Sequence, residues 1–268
     1  MPTRHREPSV AFSDYTFRGQ HLILYEAMLH YSATKILKVL LLTVALLAVL
    51  HVGASIILVN DPSMDIATAS FFQLFNMDNE VSIPTWFEQM LLAVAGTVAL
   101  LIAYCARQKE SANREWRYWL GLGLIFVGLS IDEGAGVHEL FGSVVSFFTG
   151  DLSGTIFNFS WVIAGILFVG AVAAVFVRFI FALPRRTYMY LFLSAALFIS
   201  GAIGAEMFGG YHASNIGWDF SYSLFVLLEE VLEMTGISIF VYALLDYATS
   251  NNMKLTLTRS EAAEPVTR

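Results

Sequence analysis

Apolar positions along this chain gather into six long runs, at about 36–59, 85–105, 117–140, 157–181, 187–208 and 220–246, separated by short polar connections. At a rise of about 1.5 Å per residue, each run carries a helix through the roughly 30 Å of hydrocarbon in a bilayer. The pattern therefore predicts an all-α, polytopic membrane protein, a bundle of six spans occupying residues 35–248. Residues 1–34 read as a polar arm, in which HLILYEAMLHY has the spacing of an amphipathic helix lying on a membrane surface. Residues 249–268 read as a disordered tail. No repeat of fixed period and no soluble domain interrupts the sequence, and the polar start, Met1 to Ser32, leaves the first span as the expected insertion signal.

Composition agrees with that reading. Hydrophobic residues make up 57% of the chain and charged ones 14%, where a soluble domain carries about 25%. Cys105 is the single cysteine, which excludes an internal disulfide and any multi-cysteine metal site.

The distribution of charge says more than its sum. The 15 Lys and Arg residues fall in four groups: Arg4 to Lys38 before and within the first span's opening, Arg107 to Arg117, Arg178 to Arg186, and Lys254 to Arg268. The three other connections, about 60–84, 141–156 and 209–219, contain none. Cations stay on the cytoplasmic side, so both termini are expected inside and the cation-free loops outside.

That orientation places an unusual set of acids. Glu229, Glu230 and Glu233 lie within the sixth apolar run and share an arc of about 100° on a helix. Asp132, Glu133 and His138 end the third run, and Glu206 lies near the end of the fifth, where Gly209 and Gly210 are expected to stop the helix and Tyr211 and His212 to start the outer loop. On a regular helix His138 points away from Asp132, but the GAG at 134–136 offers a place for the helix to loosen and bring it round. An acid near the centre of a span costs about 2.5–3.5 kcal/mol on insertion scales, and no Lys or Arg is available on the outer side to offset it.

Mixed carboxylates and imidazoles suit zinc, iron or manganese. The expected ligands are Asp132, Glu133, His138, Glu206, His212, Glu230 and Glu233, enough for one divalent ion or two, with Glu229 left to move protons. The spacing is not the Glu-x-x-His of soluble di-iron bundles.

Several polar residues have plainer roles. Glu88 follows Thr85 by three positions in PTWFE and reads as part of a capping box opening the second span. Asp219 reads as an N-cap, and Asp78, Glu80 and Asp151 as solvated loop residues. The intramembrane acids also admit a structural role, protonated and bonded to Ser130, Thr235, Tyr222 or a carbonyl. His51 has no second histidine at its depth, which argues against haem.

PTWF at 84–87, DEGAGVHE at 132–139, GAEMFGG at 204–210 and EEVLEMTG at 229–236 together resemble a family of bacterial multi-pass membrane proteins. The resemblance spans about 70–240, implies a place in the bacterial inner membrane and carries no activity. The chain is also superficially similar to intramembrane hydrolases related to alkaline ceramidases, from which it departs in having six spans and only two outer histidines.

Three functions fit these residues. The first is a membrane metalloenzyme, hydrolase or oxidoreductase, acting on a lipid or other apolar substrate at the outer leaflet. The second is a non-catalytic metal-binding or accessory subunit of a larger membrane complex. The third is a proton- or cation-coupled transporter, disfavoured because the polar path fades beyond Glu233. Nothing directs the chain to nucleic acid.

Overall fold

The computed structural model describes residues 12–17, 20–25, 32–61, 63–108, 114–253 and 257–259. Its bundle is all-helical. Ala33–Asn60 (α1), Ile66–Gln73 (α2), Ile83–Gln108 (α3), Glu115–Ala135 (α4), Val137–Thr149 (α5), Trp161–Ala182 (α6) and Arg185–Ile199 (α7) follow in order. A π-helical turn, Ser200–Ala205, then leads into Glu206–Asn215 (α8), and Phe220–Ser250 (α9) closes the bundle. Three short strands flank it: Phe12–Phe17 (β1), Gln20–Tyr25 (β2) and Leu257–Arg259 (β3), antiparallel in the order β1-β2-β3.

Two of the strands fall in segments with another expectation. Gln20–Tyr25 forms a strand where the surface helix was expected, and residues 26–31 of that stretch lie outside the described residues. Leu257–Arg259 pairs with β2 inside the segment read as a disordered tail. Arg4, Arg6, Arg18, Lys109, Lys254 and Arg268 also lie outside the described residues.

Among the described residues, four helical segments are long and apolar enough to cross a membrane: Ala33–Asn60, Ile83–Gln108, Trp161–Ala182 and the run Arg185–Asn215. A fifth arises if α4 and α5, bent by 82° at their junction, count as one broken span. α9 has 31 residues, about 46 Å of helix, and packs against α1, α3, α7 and α8. Lys35 and Lys38 sit where α1 begins, Arg107 where α3 ends, and Arg114 and Arg117 where α4 begins. Arg178 lies near the end of α6, and Arg185 and Arg186 open α7. Alternating helices therefore carry every described cation of the bundle to one end, called here the Arg-rich end; the opposite end is acidic.

Packing at the Arg-rich end is dense. Leu92, Ile102, Trp119, Phe179, Ile237, Phe240 and Leu244 form a buried core. α3 and α4 approach closely because Gly96 faces Gly123: a Cβ on Gly96 would lie 2.9 Å from the Val127 backbone nitrogen, and one on Gly123 3.1 Å from the Gly96 carbonyl. Arg186 Nη2 donates to Tyr242 Oη (2.8 Å) and Asp246 Oδ1 (2.9 Å), tying α7 to α9.

Three boundaries differ from the sequence reading. The third apolar run breaks at Gly136, which adopts φ 58°, and α5 continues to Thr149 where a loop was expected. The fifth does not stop at Gly209 and Gly210. Those glycines are packing positions: a Cβ on Gly209 would sit 3.3 Å from Phe225 Cβ, and one on Gly210 2.7 Å from the Phe159 ring. The helix therefore continues to Asn215, and Tyr211 and His212 lie on it instead of in a loop.

Candidate functional site

At the acidic end the helices part around a cavity of about 790 Å³. α4, α5, α6, α7, the π turn, α8 and α9 wall it, and residues of the α2–α3 connection cover its mouth. Nine carboxylates line it: Asp78, Glu80, Asp132, Glu133, Glu139, Glu206, Glu229, Glu230 and Glu233. His138 joins them, and among the described residues no Lys or Arg does. Seven of the eight predicted site residues thus meet around one space. Asp78 and Glu80, read from the sequence as solvated loop acids, belong to the same lining.

Local backbone chemistry explains how each element presents its acids. The break at Gly136 frees the first amides of α5, and Asp132 Oδ1 accepts the His138 N–H at 2.6 Å. His138 Nδ1 lies 3.3 Å from the same oxygen and its ring 5.1 Å from that of Trp161. Loosening at GAG therefore brings His138 round to Asp132. The π turn resets the phase of the helix just ahead of Glu206, whose Oε1 accepts the Trp161 indole N–H at 3.1 Å. Gly201 within that turn lets α9 close in, since a Cβ there would fall 2.6 Å from the Glu229 carbonyl oxygen and 2.8 Å from Glu233 Cγ.

His212 is the predicted ligand that the structure separates from the group. It lies outside the cavity lining, and its Nε2 pairs with Asp219 Oδ1 at 2.8 Å. Asp219 caps α9 by accepting the Tyr222 N–H at 3.0 Å. That backbone donor first, and His212 second, hold the Asp219 carboxyl below its ordinary value of 3.8.

Glu88 is the residue that sequence reasoning missed. Ser82 caps α3 instead, its Oγ accepting the Thr85 N–H at 3.3 Å. Glu88 is 1% exposed, and neither of its carboxylate oxygens has a donor. Its carboxyl group faces those of Glu230 and Glu233 on α9, and Glu230 Oε2 is likewise without a donor among the described residues. Glu206 and Glu229 face one another in the same way. Carboxyls this close need a proton or a cation between them. The one available signal was the solitary acid a turn inside an apolar span.

Two of the neutral donors considered for these acids are engaged elsewhere. Ser130 Oγ donates to the Gln89 carbonyl at 2.9 Å, and Tyr222 Oη donates to Asp78 Oδ1 at 2.8 Å. His51 is buried with both ring nitrogens used: Nδ1 accepts the Met77 N–H at 3.0 Å, and Nε2 faces the Ser223 carbonyl at 3.1 Å.

The expected ligands do not form a ready-made coordination shell. Among the described residues no group of three or more His, Cys, Asp or Glu side chains is arranged to hold one metal ion. The carboxylates spread around the cavity wall and pair with one another.

A family model described as a domain of unknown function, DUF8692, matches residues 39–247. That range takes in α3 to α8 and most of α1 and α9. No curated protein and no solved structure matches the chain.

Proposed function

The chain belongs to the DUF8692 family, and from that footing we propose that it is a six-span protein of the bacterial inner membrane whose acidic cavity binds a divalent metal ion for a reaction on a lipid or other apolar substrate. α1, α3, α4–α5, α6, α7–α8 and α9 would be the six spans. The placement of cations supports an Arg-rich end in the cytoplasm, with both termini, and a cavity that opens outward. Zinc, iron and manganese suit the donors.

One observation carries the reading: nine carboxylates and an imidazole line one cavity that no described Lys or Arg enters, beside the buried Glu88, whose carboxylate has no donor among the described residues. Glu88, Glu133, Glu230 and Glu233 would hold an ion on one side. Asp132, His138 and Glu206 would hold one on the other, with Glu229 available to move a proton. The side chains must turn toward the ion from their present pairing. A bound metal would supply an activated water or a redox centre.

A second reading has its own support. The carboxyl groups of Glu88, Glu230 and Glu233, and those of Glu206 and Glu229, gather with no Lys or Arg among the described lining residues, so shared protons would let the cluster hold and pass them without a metal. Elemental analysis of the detergent-purified protein separates the two. The metal reading expects stoichiometric zinc, iron or manganese, lost in a Glu230→Gln/Glu233→Gln variant. Protein free of metal after reconstitution with each ion would favour the proton reading.

A further inference from the structure

The acids occupy only part of their cavity, and the rest is apolar. Its apolar wall includes Leu129, Phe168, Val169, Phe198 and Ile203. α6 is held at both ends of this wall. At the acidic end Ser160 Oγ, just ahead of α6, donates to the Gly142 carbonyl of α5 at 2.9 Å, and Val162 is buried. At the other end Phe179 stacks on Tyr118, with ring centroids 4.7 Å apart. Between Val162 and Phe176, about 21 Å of helix, no α6 residue is buried. α6 meets the π turn at Gly165, where a Cβ would lie 2.9 Å from Ile203 Cδ1. Past that point Phe168 lines the cavity while remaining 47% exposed, so the apolar wall reaches the outer face of α6.

The mouth has a different chemistry. Trp218 packs edge-on to Tyr222 (4.5 Å) and near Phe159 (6.4 Å), and all three line the cavity beside Asp78. Aromatic faces next to carboxylates hold an ammonium group. An anionic head group would meet like charges and no cation.

We propose that the cavity binds a single-chain amphiphile with an amine head group. The ammonium sits between the aromatic mouth and the acids, and the chain follows the apolar wall to the outer face of α6. The volume of about 790 Å³ is that of a ligand site. This inference rests on the acidic-cavity reading above and adds to it a substrate class and a route of entry.

The test uses the full chain in phosphatidylcholine nanodiscs with three photo-crosslinking 16-carbon probes, an amine, an alcohol and a phosphate, each with a diazirine in the chain. The amine is expected to label residues around Phe168 and Phe198 about tenfold more than the alcohol, and the phosphate least. Unlabelled amine should compete, and Gly165→Trp should abolish the labelling while Leu167→Trp, at a position 70% exposed, should not. Equal labelling by all three probes, or labelling that amine does not displace, overturns the proposal. Labelling by the alcohol equal to the amine overturns the head-group assignment. The same samples are assayed for metal: metal without selective labelling sinks only this inference, and selective labelling without metal sinks only the metal reading.

Discussion

At the Arg-rich end of the bundle Trp119 is fully buried, its ring 4.8 Å from that of Tyr247 and 5.2 Å from that of Phe179, and the helices around it run without interruption. At the acidic end the same helices are broken at Gly136, wound into a π turn at Ser200–Ala205, and parted around a cavity. Every described glycine with positive φ, Gly136, Gly150, Gly154 and Gly217, lies toward that end. Regular helices with small residues at their contacts give close packing and a dry core. Non-helical or re-aimed backbone in a membrane protein is tolerated where it lines a cavity. One end holds the bundle together, and the other spends its regularity on presenting carboxylates.

The contrast is sharpest in stability. Trp119→Ala should cost about 3–5 kcal/mol. Phe168→Ala, on the cavity wall, should cost less than about 1 kcal/mol. Unfolding in mixed detergent–denaturant micelles measures both, and equal losses would show that the two ends are packed alike. Glu88→Leu makes the opposite test. Replacing a buried, donorless carboxylate with an apolar side chain should leave stability unchanged or raise it by about 1–4 kcal/mol, while lowering metal content. A strongly destabilised, metal-replete variant would mean that Glu88 is a structural group.

How much of this was legible in the sequence depends on the range of the signal. The apolar runs and the one-sided placement of Lys and Arg are long patterns that local context does not blur, and they marked the helices and the acidic end. GAG at 134–136 advertised a break, because only glycine takes φ 58° without strain. Gly209 and Gly210 misled for a related reason. In water such a pair ends a helix, but within a bundle the missing side chains make room for Phe225 and Phe159. Glu88 fitted a local capping pattern that Ser82 had already satisfied. His212 looked like a ligand because it falls with the acids at the outer ends of the spans, and tertiary packing gave it to Asp219. The π turn has no sequence signature, so nothing foretold the tight seat of α9 at Gly201.

That seat gives a smaller effect to measure. Gly201→Ala should cost about 1–3 kcal/mol by pushing α9 away at Glu229, and should weaken cation binding with it. Gly128→Ala has open space around its Cβ and should be neutral or gain up to about 1 kcal/mol. If Gly201→Ala behaves like Gly128→Ala, the close approach of α9 to the π turn is wrong. The smallest expected effect is at the Asp219 cap. Its carboxyl is held below 3.8, so the cap contributes above that pH and is lost as pH falls through the depressed folded value. The protection of the Tyr222 amide, its exchange relative to the unstructured rate at each pH, should fall in that window, and Asp219→Asn should remove this change. Protection that is unchanged across the window in the native chain would rule out the cap.

The most direct measurement is anomalous scattering from crystals of the protein soaked in manganese. The account predicts a peak between α3, α4 and α9, with carboxylate oxygens of Glu230 and Glu233 about 2.0–2.2 Å away. A well-diffracting, manganese-saturated crystal with no peak there would contradict it, and the acidic end would then be a store of protons and not a metal site.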